Sequence, residues 1–132
     1  MPKEDYLMKY LEKLGSVIAA MLGLRLKGAV GEAIRVSDET FGELLSLSLD
    51  DILKLSDEEF ESIVEKENFT ATLLEPLASM AFQTYLCYDQ LGDMQTRKAF
   101  GKKALILYRL LNKKDKTFSF EREAIIEELE NS

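Results

Sequence analysis

Histidine and tryptophan are missing from this chain of 132 residues, and cysteine occurs once, as Cys87. Without histidine the chain lacks both the commonest general base and the commonest ligand of transition metals. This excludes hydrolases with a Ser-His-Asp triad, zinc enzymes that depend on histidine, and di-iron bundles built on Glu-x-x-His pairs. A single cysteine excludes an internal disulfide and a thiolate zinc site, and it fits a reducing compartment.

Long apolar runs are also missing. A membrane-spanning helix needs roughly 18 uncharged apolar residues, and the best run, residues 17–24, is much shorter. The first residues are charged and lead into an amphipathic stretch without a cleavage site. We therefore expect no export signal, no membrane association and a cytoplasmic location.

The charge is acidic overall and unevenly distributed. The formal net charge is −7, which disfavours general binding to nucleic acid because phosphate contacts need a positive field. Residues 38–67 carry 11 acidic and 2 basic groups, whereas residues 97–116 carry 8 basic groups and one acidic group. The hydrophobic fraction of 46% is typical of one globular domain, which we take to span residues 1–132.

Apolar residues recur with the period of an α-helix almost throughout, and no segment alternates long enough to indicate a strand. The sequence therefore predicts an all-α fold of six to seven helices. We expect them over about residues 5–22, 29–47, 49–54, 57–66, 76–91, 93–112 and 119–130. Pro76 either begins or kinks its helix, and we expect it to begin one. The predicted buried faces include Tyr6 and Leu7 on the first helix and Phe120 on the last.

Two kinds of local signal mark the ends of these helices. Ser56 and Glu59 have the spacing of a capping box, in which each side chain binds the other residue's backbone N–H. The glycines of residues 23–31 mark a break, and Gly92 marks another. Because Gly28 and Gly92 each separate two long amphipathic segments, the sequence predicts two stacked helical hairpins.

Residues 81–105 resemble one tetratricopeptide (TPR) helix pair. Tyr88 matches the aromatic residue of the first helix, Leu91-Gly92-Asp93 the turn, and Lys103-Ala104-Leu105 the packing signature of the second helix. Gly101 stands where an aromatic residue is usual. The whole chain is also similar to small bacterial helical proteins of uncharacterised function with a TPR-like layout. The resemblance implies a fold of helical hairpins and an expectation of protein binding, but no reaction.

In a TPR-like layout, the outward face of the 76–91 helix would contribute to a concave binding surface. That face offers Gln83 and Tyr85, among other residues, as candidate contacts for a partner. Tyr85 is equally expected among the residues that pack this helix into the core. It carries no cation, so the resemblance does not extend to the TPR domains that clamp a peptide carboxylate with basic residues.

The most organised polar feature is a stripe of basic residues on the 93–112 helix and the residue that follows it. Lys98, Lys102, Arg109 and Lys113 project within about 60° of one another at helical spacing. The stripe fits docking to an acidic partner, an anionic ligand or a nucleic-acid backbone, and equally a solvated face. Nucleic acid is disfavoured because no tryptophan is present and no phenylalanine or tyrosine interleaves with the stripe.

The same helix is apolar on more than one side. Leu105, Ile106 and Leu110 lie well away from its main apolar face. Two interpretations stay open: neighbouring helices of the same chain cover these residues, or they form a subunit interface.

No metal, cofactor or catalytic group is expected. The acidic cluster 50–61 lacks the ligand spacing and the central glycine of a calcium loop, and helix-start electrostatics accounts for it. Cys87 falls between packing positions and is predicted to be an inert thiol. We therefore expect an interaction module that binds a protein or peptide. The alternatives are a homo-oligomer formed through the 93–112 helix, or a small enzyme with carboxylate or tyrosine residues in an apolar pocket.

Overall fold

Seven α-helices joined by short connections make up residues 3–132, the range that this computed structural model describes, with side chains from Met8 onward. They are α1 (Lys3–Leu26), α2 (Val30–Leu45), α3 (Leu49–Lys54), α4 (Asp57–Glu67), α5 (Ala71–Leu91), α6 (Met94–Lys114) and α7 (Phe120–Glu130). No strand occurs in this range, so the predicted all-α fold of six to seven helices is confirmed. The predicted burial of Tyr6 and Leu7 lies outside the described side chains.

Helices α5 and α6 form the central pair, and every other helix packs against one of them. Their corner is Gly92, whose φ of 75° is in the left-handed region that favours glycine. The Gly92 N–H donates to the Asp89 carbonyl, and the Asp93 N–H donates to the Tyr88 carbonyl. A second corner, at Gly28 with φ 86°, joins α1 to α2. Both predicted glycine corners are therefore confirmed.

The remaining helices divide between the two helices of the central pair. Helices α1 and α2 both pack against α5, whereas α3, α4 and α7 pack against α6. Aromatic rings of α2, α5 and α6 pack against one another in the core. The ring centroid of Phe100 lies 6.2 Å from that of Phe41 and 5.8 Å from that of Tyr88. Phe41 and Phe100 are fully buried, and a side chain of this kind contributes about 1.5–3 kcal/mol of hydrophobic stabilisation.

The second apolar side of α6 is covered within the chain. The exposed fractions of these residues are small: 8% for Leu105, 7% for Ile106 and 6% for Leu110. Of the two interpretations of these residues, burial inside the monomer is therefore confirmed.

Helix α5 begins earlier than predicted. It starts at Ala71 rather than at Pro76, because the Thr70 hydroxyl accepts a hydrogen bond from the Leu73 N–H and caps the helix there. Pro76 then lies in the second turn, where it withholds an N–H from the carbonyl of Thr72. Thr72 is exposed, so water can satisfy that carbonyl.

Other boundaries shift by a few residues. Helix α1 continues through Gly23 to Leu26, so the break in residues 23–31 is confined to the corner at Gly28. Helix α2 stops at Leu45 because Ser46 adopts a left-handed conformation with φ 57°. The Ser56–Glu59 capping box is confirmed, with backbone-to-side-chain distances of 2.9 and 3.0 Å.

The predicted burial of Phe120 is wrong. Phe120 is 84% exposed and packs only edge-on against the exposed ring of Phe118, 4.7 Å away. The buried face of α7 is set by Arg122, Ile126 and Leu129, which recur at i, i+4 and i+7. Phe120 lies two residues before Arg122, about 200° around the helix, and therefore faces solvent.

A cationic depression between the sixth and seventh helices

The exposed face of α6 and the end of α7 enclose a shallow depression of about 310 Å³. We call it the cationic depression; its lining residues are Lys98, Lys102, Leu105, Arg109, Leu129, Glu130 and Ser132. Helix α6 places Lys98, Lys102 and Arg109 at its exposed positions, while its buried face packs against α5. Three of the four residues of the predicted basic stripe are thus brought together.

Lys113 is separated from the other three. It lies about 22 Å along the helix axis from Lys98, and it lines a different depression of about 200 Å³ together with Val64, Phe69 and Leu74. The connection between α4 and α5 reaches α6 at this level, whereas the end of α7 does not. The four cations project in similar directions around α6, but Lys113 lies too far along the helix axis to share a site with the other three.

Gln83 and Tyr85, both on α5, do not line the cationic depression. The Gln83 side-chain oxygen accepts a hydrogen bond from Arg25 Nε at 3.1 Å, in the seam between α1 and α5. Tyr85 is 1% exposed. The expectation that Tyr85 faces a concave binding surface is wrong, because α1, α2 and α6 all pack around α5. Gln83 is half-buried, and its role as a binding residue stays a prediction.

Most other cations of residues 97–116 form an ion pair or a hydrogen bond with groups of the same chain. Arg97 Nε lies 2.8 Å from Asp89 Oδ1, and Lys103 Nζ lies 2.6 Å from Asp57 Oδ1. The Lys114 ammonium group donates a hydrogen bond to the backbone carbonyl of Phe69. The ion pairs of Arg97 and Lys103 therefore offset part of the positive charge that the sequence shows over residues 97–116.

Lys98 and Lys102 differ from these residues. Within the described part of the chain neither forms an ion pair, and both are exposed. Arg109, the third cation, is paired with Glu130 at 3.3 Å, with both side chains about half exposed. Such exposed pairs contribute about 0–1 kcal/mol and exchange partners readily. The uncompensated positive charge of the depression therefore belongs to Lys98 and Lys102.

The floor between these cations is apolar. Leu105 and Leu129 line the depression and are 8% and 5% exposed. Two ammonium groups one helical turn apart, beside an apolar floor and an exchangeable guanidinium, can hold carboxylates that flank an apolar side chain. The arrangement is suited to binding.

Sequence reasoning missed two buried cations. Lys103 is 5% exposed and Arg122 is 7% exposed. The position of Arg122 on the same helix face as Ile126 and Leu129 is a sequence signal that would have placed it inward. The burial of Lys103 has no such signal, because its partner Asp57 lies 46 residues away in sequence.

Residues 3–132 contain no helix with the length and apolar character needed to cross a membrane. The described side chains also form no group of three or more that is suited to holding a metal ion. Comparison with protein-family models finds no match, and comparisons with curated proteins and with solved structures find none either.

Proposed function

We propose that this chain is a helical interaction module that binds an acidic segment of a protein partner in the cationic depression. The observation that carries the proposal is the placement of Lys98 and Lys102, exposed and without an acidic partner among the described residues, beside the apolar floor of Leu105 and Leu129. The TPR-like interpretation belongs to the same proposal. It is supported by two hairpins that turn at left-handed glycines.

The competing functions have less support. The homo-oligomer hypothesis required exposed apolar residues on α6, but Leu105, Ile106 and Leu110 are buried inside the chain. An enzyme of the expected kind needs carboxylates turned into a closed apolar pocket. The depression of about 320 Å³ that Glu75 lines together with Pro76 and Tyr108 is open to solvent, and the Glu75 side chain is 63% exposed. A cytoplasmic location stays part of the proposal, supported by the buried free thiol of Cys87.

The test uses a fluorescein-labelled amphipathic peptide of glutamate and leucine, measured by fluorescence anisotropy at low ionic strength. We expect the protein to bind this peptide, and binding to weaken as salt screens the exposed charges. The charge reversal K98E/K102E should weaken binding at least about tenfold, because it replaces two attractions by two repulsions. Circular dichroism should show the same helix content in the variant and in the original protein.

The matched control is Lys116→Glu, which reverses an exposed lysine of the same basic segment outside the depression. At about 0.15 M salt we expect Lys116→Glu to leave the affinity within about twofold, because exposed charges farther apart than a Debye length of about 8 Å are largely screened. The proposal is contradicted if the original protein does not bind the peptide. It is also contradicted if Lys116→Glu weakens binding as much as K98E/K102E does.

A further inference from the structure

A second cavity, of about 320 Å³, lies where α1, α5, α6 and the first turn of α7 meet. We call it the junction cavity. Pro76 and Ile125 contribute to its apolar wall, and Glu75, Tyr108, Glu121 and Arg122 to its polar wall. The cationic depression draws instead on the last residues of α7, so the two sites lie at opposite ends of that helix.

Arg122 is part of the wall, but its guanidinium already binds groups of the same chain. Arg122 is 7% exposed, and its Nη1 donates to Asn112 Oδ1 at 3.1 Å. Its Nη2 donates to Asp115 Oδ2 at 3.0 Å and lies 3.8 Å from Glu75 Oε1. Because its positive charge is balanced by Asp115, Arg122 leaves no free cation to receive an anionic ligand.

The hydroxyl of Tyr108 is the unused polar group of this cavity. Tyr108 is 3% exposed, and its hydroxyl has no hydrogen-bond partner among the described side chains. Tyr108 lines the junction cavity together with Glu75, Glu121 and Arg122. Burial raises the pKa of Tyr108, so the group stays neutral near pH 7. The hydroxyl is not among the fully buried side-chain atoms that lack a partner, so its oxygen is accessible from the cavity that Tyr108 lines, and a ligand bound there can form a hydrogen bond with it.

The remaining charge of the junction cavity is negative. Glu121 forms no ion pair with the described residues, and Glu75 is held only by the long contact to Arg122. A negative rim above an apolar wall repels anions and favours a cation with an apolar body. The volume is at the lower end of the range of about 300–1,000 Å³ typical of ligand sites, so the ligand that fits is small.

We propose that the junction cavity binds a primary alkylammonium group. The ammonium donates hydrogen bonds to the hydroxyl oxygen of Tyr108 and to the carboxylate of Glu121, and the alkyl chain lies along Pro76 and Ile125. A free alkylamine and the side chain of a lysine share this chemistry. The experiment therefore includes a probe for each source.

The test is isothermal titration calorimetry with three probes: n-hexylammonium chloride, Nα-acetyl-lysine amide and sodium hexanoate. We expect at least one of the two ammonium probes to bind and hexanoate, its anionic counterpart, not to bind. Binding of n-hexylammonium points to a free amine, and binding of acetyl-lysine amide alone points to a lysine side chain. Binding of hexanoate, or of none of the probes, overturns the proposal.

Two conservative variants locate the site. Tyr108→Phe removes only the hydroxyl and Glu121→Gln removes only the charge, and each should weaken ammonium binding about tenfold. The matched control is Glu123→Gln, an exposed glutamate in the same turn of α7 that does not line the cavity. Thermal unfolding establishes that every variant is folded. If Tyr108→Phe and Glu121→Gln bind as well as Glu123→Gln does, the assignment is wrong.

Discussion

Gly101 on α6 lies against the aromatic ring of Tyr85 on α5. A Cβ atom at position 101 would lie 3.0 Å from Tyr85 Cε1 and 3.1 Å from Cδ1. The ring has little freedom to move, because it stacks on Phe82 at 5.8 Å and lies 5.1 Å below the guanidinium of Arg97. The glycine is therefore a contact surface for the ring, which explains why no aromatic residue stands at this position.

Replacing Gly101 by alanine should destabilise the fold by about 1–2 kcal/mol, since overpacking a close contact outweighs the gain in helix propensity. Urea unfolding followed by circular dichroism measures the change. The control is Gly15→Ala on α1, where a Cβ meets nothing within 4 Å. That control should stabilise the protein by about 0.5–1 kcal/mol. If Gly101→Ala is as stable as Gly15→Ala, the close contact with Tyr85 does not constrain the packing.

The corner between α5 and α6 gives a second prediction. Gly92 has φ 75°, and a β-branched residue is strongly disfavoured there. Gly92→Val should lower the free energy of unfolding by about 2 kcal/mol. Gly92→Asn should cost less, because asparagine tolerates the left-handed conformation. Equal melting temperatures for the two variants would contradict the proposed role of the corner.

Cys87 should be chemically silent in the folded protein. Its side chain is fully buried, and burial raises the pKa of the thiol to about 11. At pH 8 the folded protein should therefore not react with Ellman's reagent, whereas the protein in urea should react with one equivalent. A cysteine introduced at the exposed Ser62 serves as the reactive control. Rapid labelling of Cys87 without denaturant would show that the α5 packing opens readily.

The capping box of α4 predicts a pH dependence. The N–H of Ser56 donates a hydrogen bond to Glu59, which lowers the pKa of that carboxyl from its ordinary value in the unfolded chain. Stability from this contact is therefore present above the unfolded pKa and is lost as the pH falls through the lower folded pKa.

The variant Glu59→Gln isolates this effect. Glutamine can keep the hydrogen bond but does not titrate, so the loss of stability between pH 7 and pH 3 should be smaller in Glu59→Gln than in the original protein. Urea unfolding at the two pH values measures it, and Glu58→Gln, a neighbour outside the capping box, is the control. An identical acid response in the original protein and Glu59→Gln would contradict the prediction.

Local signals in the sequence were sufficient to predict the seven helices and the two glycine corners between them. The helical period located seven helices, and Gly28, Gly92 and the Ser56–Glu59 pair located their ends, because each of these effects acts within one or two turns of the chain. The start of α5 was misplaced because Pro76 is a stronger visible signal than the Thr70 cap, although a second-turn proline is compatible with an exposed carbonyl.

Contacts between distant helices were beyond the reach of these signals. Tyr85 was assigned to a surface that α1, residues 3–26, covers together with α2 and α6, and no local pattern shows which faces those helices occupy. The basic stripe was predicted from one helix alone. The four basic residues could share a site only if α7 packed along all of them. The end of α7 contacts Arg109 but does not reach Lys113.

The most direct test of the binding proposal is NMR chemical-shift mapping of the ¹⁵N-labelled protein during titration with the glutamate and leucine peptide. The account predicts that the largest backbone amide shifts occur at Lys98, Lys102, Leu105 and Leu129, and that they disappear in K98E/K102E. Shifts concentrated instead around the exposed pair Phe118 and Phe120, or spread evenly over the surface, would contradict it.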